Sequence, residues 1–168
     1  MVCSISECND GALIVYDDGK IACCDVMHQQ SNIWVAESPA ILKAHKTKSL
    51  RAYADSNDNI WLYGQGTLAM WNKQKKVWDY TISEKLGITG LGIDRNINGM
   101  AGKGNDIWIG SDQLGLLKMD LATHEIQPVQ PRNINEKQLI TDNVSIQSVY
   151  MDDTGLLWVG TEKSGVAY

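Results

Sequence analysis

The strongest constraint on this chain is a repeat with a period near 47 residues. The segments "GALIVYDDGKIACCD" (11–25), "DNIWLYGQGTLAMWN" (58–72), "NDIWIGSDQLGLLKMD" (105–120) and "DDTGLLWVGTEKSGVAY" (152–168) answer to one another. Aligned on their first apolar strand, Ile14, Trp61, Trp108 and Trp158 fall in one column, spaced 47, 47 and 50 residues apart. Leu13, Ile60, Ile107 and Leu157 precede that column, and Val15, Leu62, Ile109 and Val159 follow it. Past the next turn a second column forms from Ile21, Leu68, Leu116 and Val166. Self-similarity at a fixed period of this size is the mark of a repeat architecture and takes precedence over other readings.

Each unit reads as four short strands, A to D. The A strands are expected at 4–7, 51–54, 98–101 and 147–151, and the D strands at 32–36, 77–80 and 125–129. The fourth unit has no D strand within the sequence. The A–B turns "CNDG", "DSNDN", "GKGND" and "DDTG" suit tight hairpins, because Asn, Asp and Gly tolerate positive φ and Asn and Asp side chains bond nearby backbone. Turn residues return every 8–12 positions with no sustained helical spacing, which argues against a helical solenoid. The expected fold is all-β: a β-propeller fragment of about three and a half four-stranded blades across 1–168, with units 1–48, 49–96, 97–144 and a truncated 145–168. A lone blade has two apolar faces, and stacking covers them. Trp61, Trp108 and Trp158 are therefore read as packing residues between sheets rather than ligand platforms. Trp34, Trp71 and Trp78 lie off the column and are expected to be more exposed.

The chain's formal charge of −5 comes with scattered lysines and arginines, so no basic stripe points to nucleic acid. No apolar run reaches the roughly 20 residues of a membrane span. The first residues lack the basic start and long apolar middle of a signal peptide. All four cysteines, Cys3, Cys8, Cys23 and Cys24, lie in the first unit without metal-hook spacing. Strands A and C stand about 9.6 Å apart with strand B between them, too far for a Cys3–Cys23 disulfide, and four thiols are expected.

Other chemistry fails on spacing. "NGMAGKGND" lacks the first glycine and the Ser/Thr of a phosphate loop. "DSNDN" lacks the glycine and glutamate of an EF-hand. His28, His45 and His124 sit in separate linkers or strand ends, which gives no shared catalytic site. No catalytic residue, cofactor or metal site is expected. Binding is expected where the B–C turns and the long D-to-A linkers (37–50, 81–97 and 130–146) share one end of the blades. The turns offer Asp17, Asp18, Gln65, Asp112, Gln113, Glu162 and Lys163, polar groups that suit sugar hydroxyls. Trp71 or Trp78 would stack on a sugar ring if exposed. The candidate ligand-binding set is Gln65, Trp71, Asp112, Gln113, Glu162 and Lys163.

The stretch "ITDNVSIQSVYMDDTGLLWVGTEKSGV" resembles the two-component regulator propeller repeat through Asn143, Val144, Asp152, Gly155, Leu157, Trp158, Val159, Gly160, Thr161 and Gly165. The third unit matches at Asn105, Ile107, Trp108, Ile109, Gly110, Gly115, Leu116 and Asp120. The second keeps Asn59, Ile60, Trp61 and Leu62 but has Tyr63 for Gly, and the first has Ile14 for Trp. The resemblance implies a periplasmic sensor propeller ahead of a membrane span and a histidine kinase, with complex carbohydrate as a recurrent ligand class. It implies a non-enzymatic fragment whose partners are a glycan or small molecule. Self-association or missing blades would cover its open ends, and this stretch would have no membrane contact. The alternatives are a streptogramin lyase-like propeller enzyme, which would need a histidine, a glutamate and a metal on the ring axis, and a scaffold for protein–protein interaction. A closed four-blade ring is the competing geometry.

Overall fold

A computed structural model describes residues 1–8, 11–25, 27, 30–35 (backbone only at 30–34), 39, 49–88, 95–129, 144–163 and 165–168. Four antiparallel meanders follow one another along the chain. Sheet 1 holds β1 (Val2–Cys8), β2 (Gly11–Tyr16), β3 (Ile21–Asp25) and β4 (Gln30–Val35). Sheet 2 holds β5 (Arg51–Ala54), β6 (Ile60–Gly64), β7 (Thr67–Asn72) and β8 (Val77–Asp79). Sheet 3 holds β9 (Ile97–Lys103), β10 (Asp106–Ser111), β11 (Gly115–Asp120) and β12 (Ile126–Pro128). Sheet 4 has three strands, β13 (Ile146–Met151), β14 (Leu157–Thr161) and β15 (Val166–Ala167). The expected strands therefore form, with ends moved by a few residues. The linker expected at 81–97 contains one short helix, α1 (Thr81–Lys85), which turns at Gly87 with φ 65° and buries Ile82.

The chain divides into two compact units, Met1–Ile93 and Asp94–Tyr168. In the first, one core unites Leu13, Val15, Ile21, Cys23 and Val35 of sheet 1 with Ala52, Ile60, Leu62 and Trp71 of sheet 2, joined by Leu50. Each fully buried aliphatic side chain there is worth about 1.5–3 kcal/mol against exposure. The Ser6 hydroxyl adds a bond to the Ala52 carbonyl at 2.8 Å. In the second unit Leu116, Ile146 and Val159 form a core with Trp108, Val129, Val149 and Leu157 packed on it. Gly110 makes that contact close: a Cβ there would lie 2.6 Å from Ile146 Cγ2 and from Val149 Cγ2.

These cores correct the alignment of the first unit. In sheet 3 the column tryptophan lies on the face that packs against sheet 4, and in sheets 2 and 4 it lies on the face opposite the one that packs against the preceding sheet of its unit. Sheet 3 offers Trp108, Gly110 and Leu116 to sheet 4, which answers with Leu157, Val159 and Val149. Sheet 1 offers Leu13, Val15 and Ile21 to sheet 2, so Leu13, not Ile14, takes the tryptophan's place. The spacing from Leu13 to Trp61 is then 48 residues. A one-residue slip exchanges the faces of a strand. "GALIVY" is apolar on both faces, so its sequence carries no mark of which face turns inward.

Two column tryptophans are locked by the turn before them. Trp61 Nε1 donates to Asp55 Oδ2 at 2.9 Å, and Trp158 Nε1 donates to Asp152 Oδ2 at 2.9 Å. Each aspartate sits six residues upstream and opens the A–B turn, where it also accepts backbone N–H groups: Asn57 and Asn59 on Asp55, Leu156 on Asp152. Sheet 3 has Gly102 at that offset, and there Lys118 Nζ lies 5.3 Å from the centre of the Trp108 ring instead. The two latches differ in environment. Trp61 is 1% exposed and Asp55 is buried with it, whereas Trp158 is 38% exposed. Burial, with the Asp55 carboxylate adding to it, pushes the neighbouring Tyr53 phenol up to about 12. Hydrogen bonds from Thr154, Trp158 and the Leu156 backbone hold the Asp152 carboxyl down at about 2.

None of the four cysteines is in a disulfide. Cys8 is the last residue of β1 rather than part of the turn, and its Sγ lies 3.7 Å from Cys23 Sγ. The two thiols meet across β2 because the residue opposite Cys8 is Gly11, which has no side chain to separate them.

Candidate functional site

The B–C turns and the starts of the A strands do share one end of each sheet. In sheet 4 the Glu162 amide donates to the Ser145 carbonyl at 3.0 Å, and Ile146 pairs with Thr161. In sheet 3 Ile97 pairs with Ser111. In sheet 2 the absent Cβ of Gly64 leaves room for the Ser49 carbonyl, which it would meet at 2.6 Å. The linkers expected to complete this end fall mostly outside the described residues.

The candidate residues separate on these coordinates. Gln65, Gln113, Glu162 and Lys163 are exposed at turn tips. The Gln65 carbonyl accepts from Thr67 Oγ1 at 3.2 Å, and the Gln113 amide donates to Ser111 Oγ at 3.3 Å. Asp112 is half-buried and committed: Oδ1 accepts the Asn96 amide at 3.1 Å and Oδ2 accepts Asn96 Nδ2 at 2.8 Å. Trp71 is 8% exposed, part of the core between sheets 1 and 2, with its ring edge-on to Trp78 at 5.4 Å. The exposure that sugar stacking would require of Trp71 is not met. Its position on β7 opposite Ile60 turns it inward, and its neighbour Trp78 packs on the same core. In sheet 1, Asp18 pairs with Lys20 at 2.7 Å and Asp17 with the Met1 ammonium at 2.7 Å. Of the histidines, His124 lies in the β11–β12 turn with φ 57°, and His28 and His45 lie outside the described residues.

Two features escaped the sequence. Asn96 Oδ1 is buried without a hydrogen-bond partner among the described residues, beside the Asp112 carboxylate that its amide group holds. The pair makes a polar anchor beneath Gln113 at the turn end of sheet 3. At the opposite end of that sheet, Asp106, Lys118, Asp120, Thr123, Glu125 and Gln127 line a cleft of about 280 Å³. Its charges are mostly spent internally. Lys118 pairs with Asp106 at 2.7 Å, and Asp120 accepts the Ala122 and Thr123 amides and the Thr123 hydroxyl at 2.8–3.1 Å. Those bonds from Thr123 and Ala122 pull the Asp120 carboxyl below its ordinary value. The Asp-x-x-Thr spacing signals this turn in the sequence, but not the cleft that sits over it. Among the described residues no group of three or more His, Cys, Asp or Glu side chains is placed to hold a metal ion, and no helix is long and apolar enough to cross a membrane.

Residues 139–163, which contain the Asp152–Trp158 latch, match the protein family described as two component regulator propeller. The chain carries a two component regulator propeller repeat. Solved structures place the rest of the chain in the same fold. The extracellular domain of the hybrid two component system BT3049 from B. thetaiotaomicron is similar over 99% of this chain and 20% of its own, with a TM-score of 0.57 and 18% identity. That of BT4673 from the same organism is similar over 98% of this chain and 20% of its own, at a TM-score of 0.63 and 13% identity. The computationally designed Ika4 protein is similar over 99% of this chain and 89% of its own, at a TM-score of 0.53 and 14% identity. The chain thus spans about a fifth of the length of the two bacterial domains. Among curated proteins none matches it. The matched repeat contains the Leu-Trp-Val-Gly-Thr string of β14, the second strand of sheet 4.

Proposed function

We propose that this chain is a stretch of the extracytoplasmic sensor propeller of a hybrid two component signalling protein, and that it takes part in ligand recognition without catalysis. The observation that carries the reading is the regulator propeller repeat at 139–163, set in a chain that over nearly its whole length is similar in fold to about a fifth of two extracellular domains of such systems. The ligand class we favour is carbohydrate, bound at the end where B–C turns and linkers meet. Gln65, Gln113, Glu162 and Lys163 supply exposed donors and acceptors there, and Asn96 with Asp112 anchors the turn that presents Gln113. The sugar's apolar face would have to find a partner other than Trp71, which the core retains. Signalling would follow from a ligand that binds one packing of the propeller against its neighbours better than another, since a ligand shifts a conformational equilibrium only by its differential affinity.

The test is a glycan array probed with the chain, followed by titration of any retained glycan against Gln113→Ala and Glu162→Ala. The expected outcome is a defined glycan set whose affinity falls about tenfold in a variant, the loss of one or two hydrogen bonds. An empty array, or retention that neither variant alters, would remove this site from consideration.

A further inference from the structure

Sheet 1 differs from sheets 2 and 4 in how its strands can be tied together. Its column position is Leu13, which offers no indole to a turn aspartate. It carries a pair of thiols instead. Cys8 closes β1 and Cys23 stands in β3, with β2 between them, and their Sγ atoms lie 3.7 Å apart.

Strands on either side of a third stand about 9.6 Å apart in a regular sheet, beyond the reach of a disulfide. Sheet 1 is pinched at this point. Gly11, the residue opposite Cys8, has φ 150°, a backbone that a side chain rarely permits. The space that a Cβ there would fill is taken by β3. The Cys24 carbonyl oxygen sits in it, and the Cys24 carbonyl carbon and Asp25 Cα would be 3.1 and 3.3 Å away. β3 thus closes over Gly11 toward β1, and the two sulfurs meet on the face that carries Leu13. The other cysteines are placed differently. Cys24 follows Cys23 in its strand and so points to the opposite face. Cys3 lies near the other end of β1, about 17 Å from Cys8 along the strand.

We propose that Cys8 and Cys23 are a redox modification site, at which exchange with a low-molecular-weight disulfide such as oxidised glutathione closes an intramolecular disulfide. The Cys8 thiolate attacks the small disulfide first, because Cys8 is half-buried whereas Cys23 is 5% exposed. A mixed disulfide forms at Cys8 and one small thiol leaves. The Cys23 thiolate then attacks the Cys8 sulfur, the internal S–S bond forms, and the second small thiol leaves. The two protein thiols give up two protons and two electrons, and one small disulfide is reduced to two thiols. The product carries no charge, which suits a pair packed on an apolar core. It ties β1 to β3 across β2 and constrains the unfolded chain between them. The exchange rests on this geometry alone. Its occurrence in the cell rests on the extracytoplasmic reading, since disulfides form and persist in such compartments.

The test uses the folded 168-residue chain. The reduced chain is incubated with oxidised glutathione, quenched with iodoacetamide, and read by mass spectrometry intact and after digestion. Cleavage after Glu7 and Lys20 separates Cys3, Cys8 and Cys23 onto different peptides. Two of the four thiols should escape alkylation with the loss of two hydrogens, and the linked peptides should join Cys8 to the one that carries Cys23. Cys24→Ser should bridge as the parent chain does, which assigns the partner to Cys23. Cys23→Ser should stop at the mixed disulfide on Cys8, and Cys8→Ser should form no internal bridge. In urea, where the fold no longer brings the pair together, the preference for Cys8 with Cys23 should be lost. Four alkylated thiols in the folded parent chain would overturn the inference, as would linked peptides from a different pair or the same preference in urea. None of these results bears on ligand recognition, which the glycan array reads separately.

Discussion

Replacing Asp55 by alanine strikes a side chain that accepts four hydrogen bonds. Its carboxylate accepts the Asn57 and Asn59 amides at 2.9 Å each, Asn59 Nδ2 at 3.2 Å and the Trp61 indole at 2.9 Å. Trp61 and Asp55 are both buried, so water does not replace the lost acceptor. One stranded indole N–H costs about 1–3 kcal/mol, and two backbone amides in a half-exposed turn add about 1 kcal/mol each, which brings the loss to about 3–5 kcal/mol. Asp55→Asn should fall between the two, because its amide oxygen restores some acceptors while its NH₂ opposes a donor. Asp152→Ala removes the corresponding indole bond, with one backbone amide and the Thr154 hydroxyl, at a site that solvent reaches, and should cost a small fraction of this. Urea unfolding followed by tryptophan fluorescence and circular dichroism measures both. Equal losses for Asp55→Ala and Asp152→Ala, or a loss below about 1 kcal/mol for Asp55→Ala, would refute the assignment of burial as the deciding factor.

Two further outcomes follow from close packing and from charge. Gly110→Ala drives a methyl into Ile146 and Val149 and should destabilise the second unit by about 1–3 kcal/mol in the same unfolding assay, although alanine is the better strand residue on backbone entropy alone. Asp152 is held at about 2, below its value in an unfolded chain. Its contribution is therefore complete above about pH 4 and is lost as the pH falls through about 2. An acid titration of fluorescence should show sheet 4 loosening in that window, with the change absent in Asp152→Asn.

Much of the architecture was legible because it is local. Strand length, turn chemistry and the period of about 47 residues are encoded within each unit, and the strands at 51–54, 60–64 and 106–111 form where alternation and Asn/Asp/Gly turns place them. The end of the sheets that carries Gln65, Gln113, Glu162 and Lys163 was legible for the same reason, since antiparallel meanders put alternate turns at one end. The Asp–Trp latch was half legible: both aspartates read as turn residues, but the indole bond closes only once the hairpin has formed.

What the tertiary structure alone decided is which way each two-faced strand turns. Leu13 in place of Ile14, the burial of Trp71 and the meeting of Cys8 with Cys23 across Gly11 all depend on what lies against the sheet. A strand apolar on both faces is consistent with either orientation by its own residues. Packing against Ala52, Ile60 and Leu62 makes the choice, because only one face of "GALIVY" can fill that space.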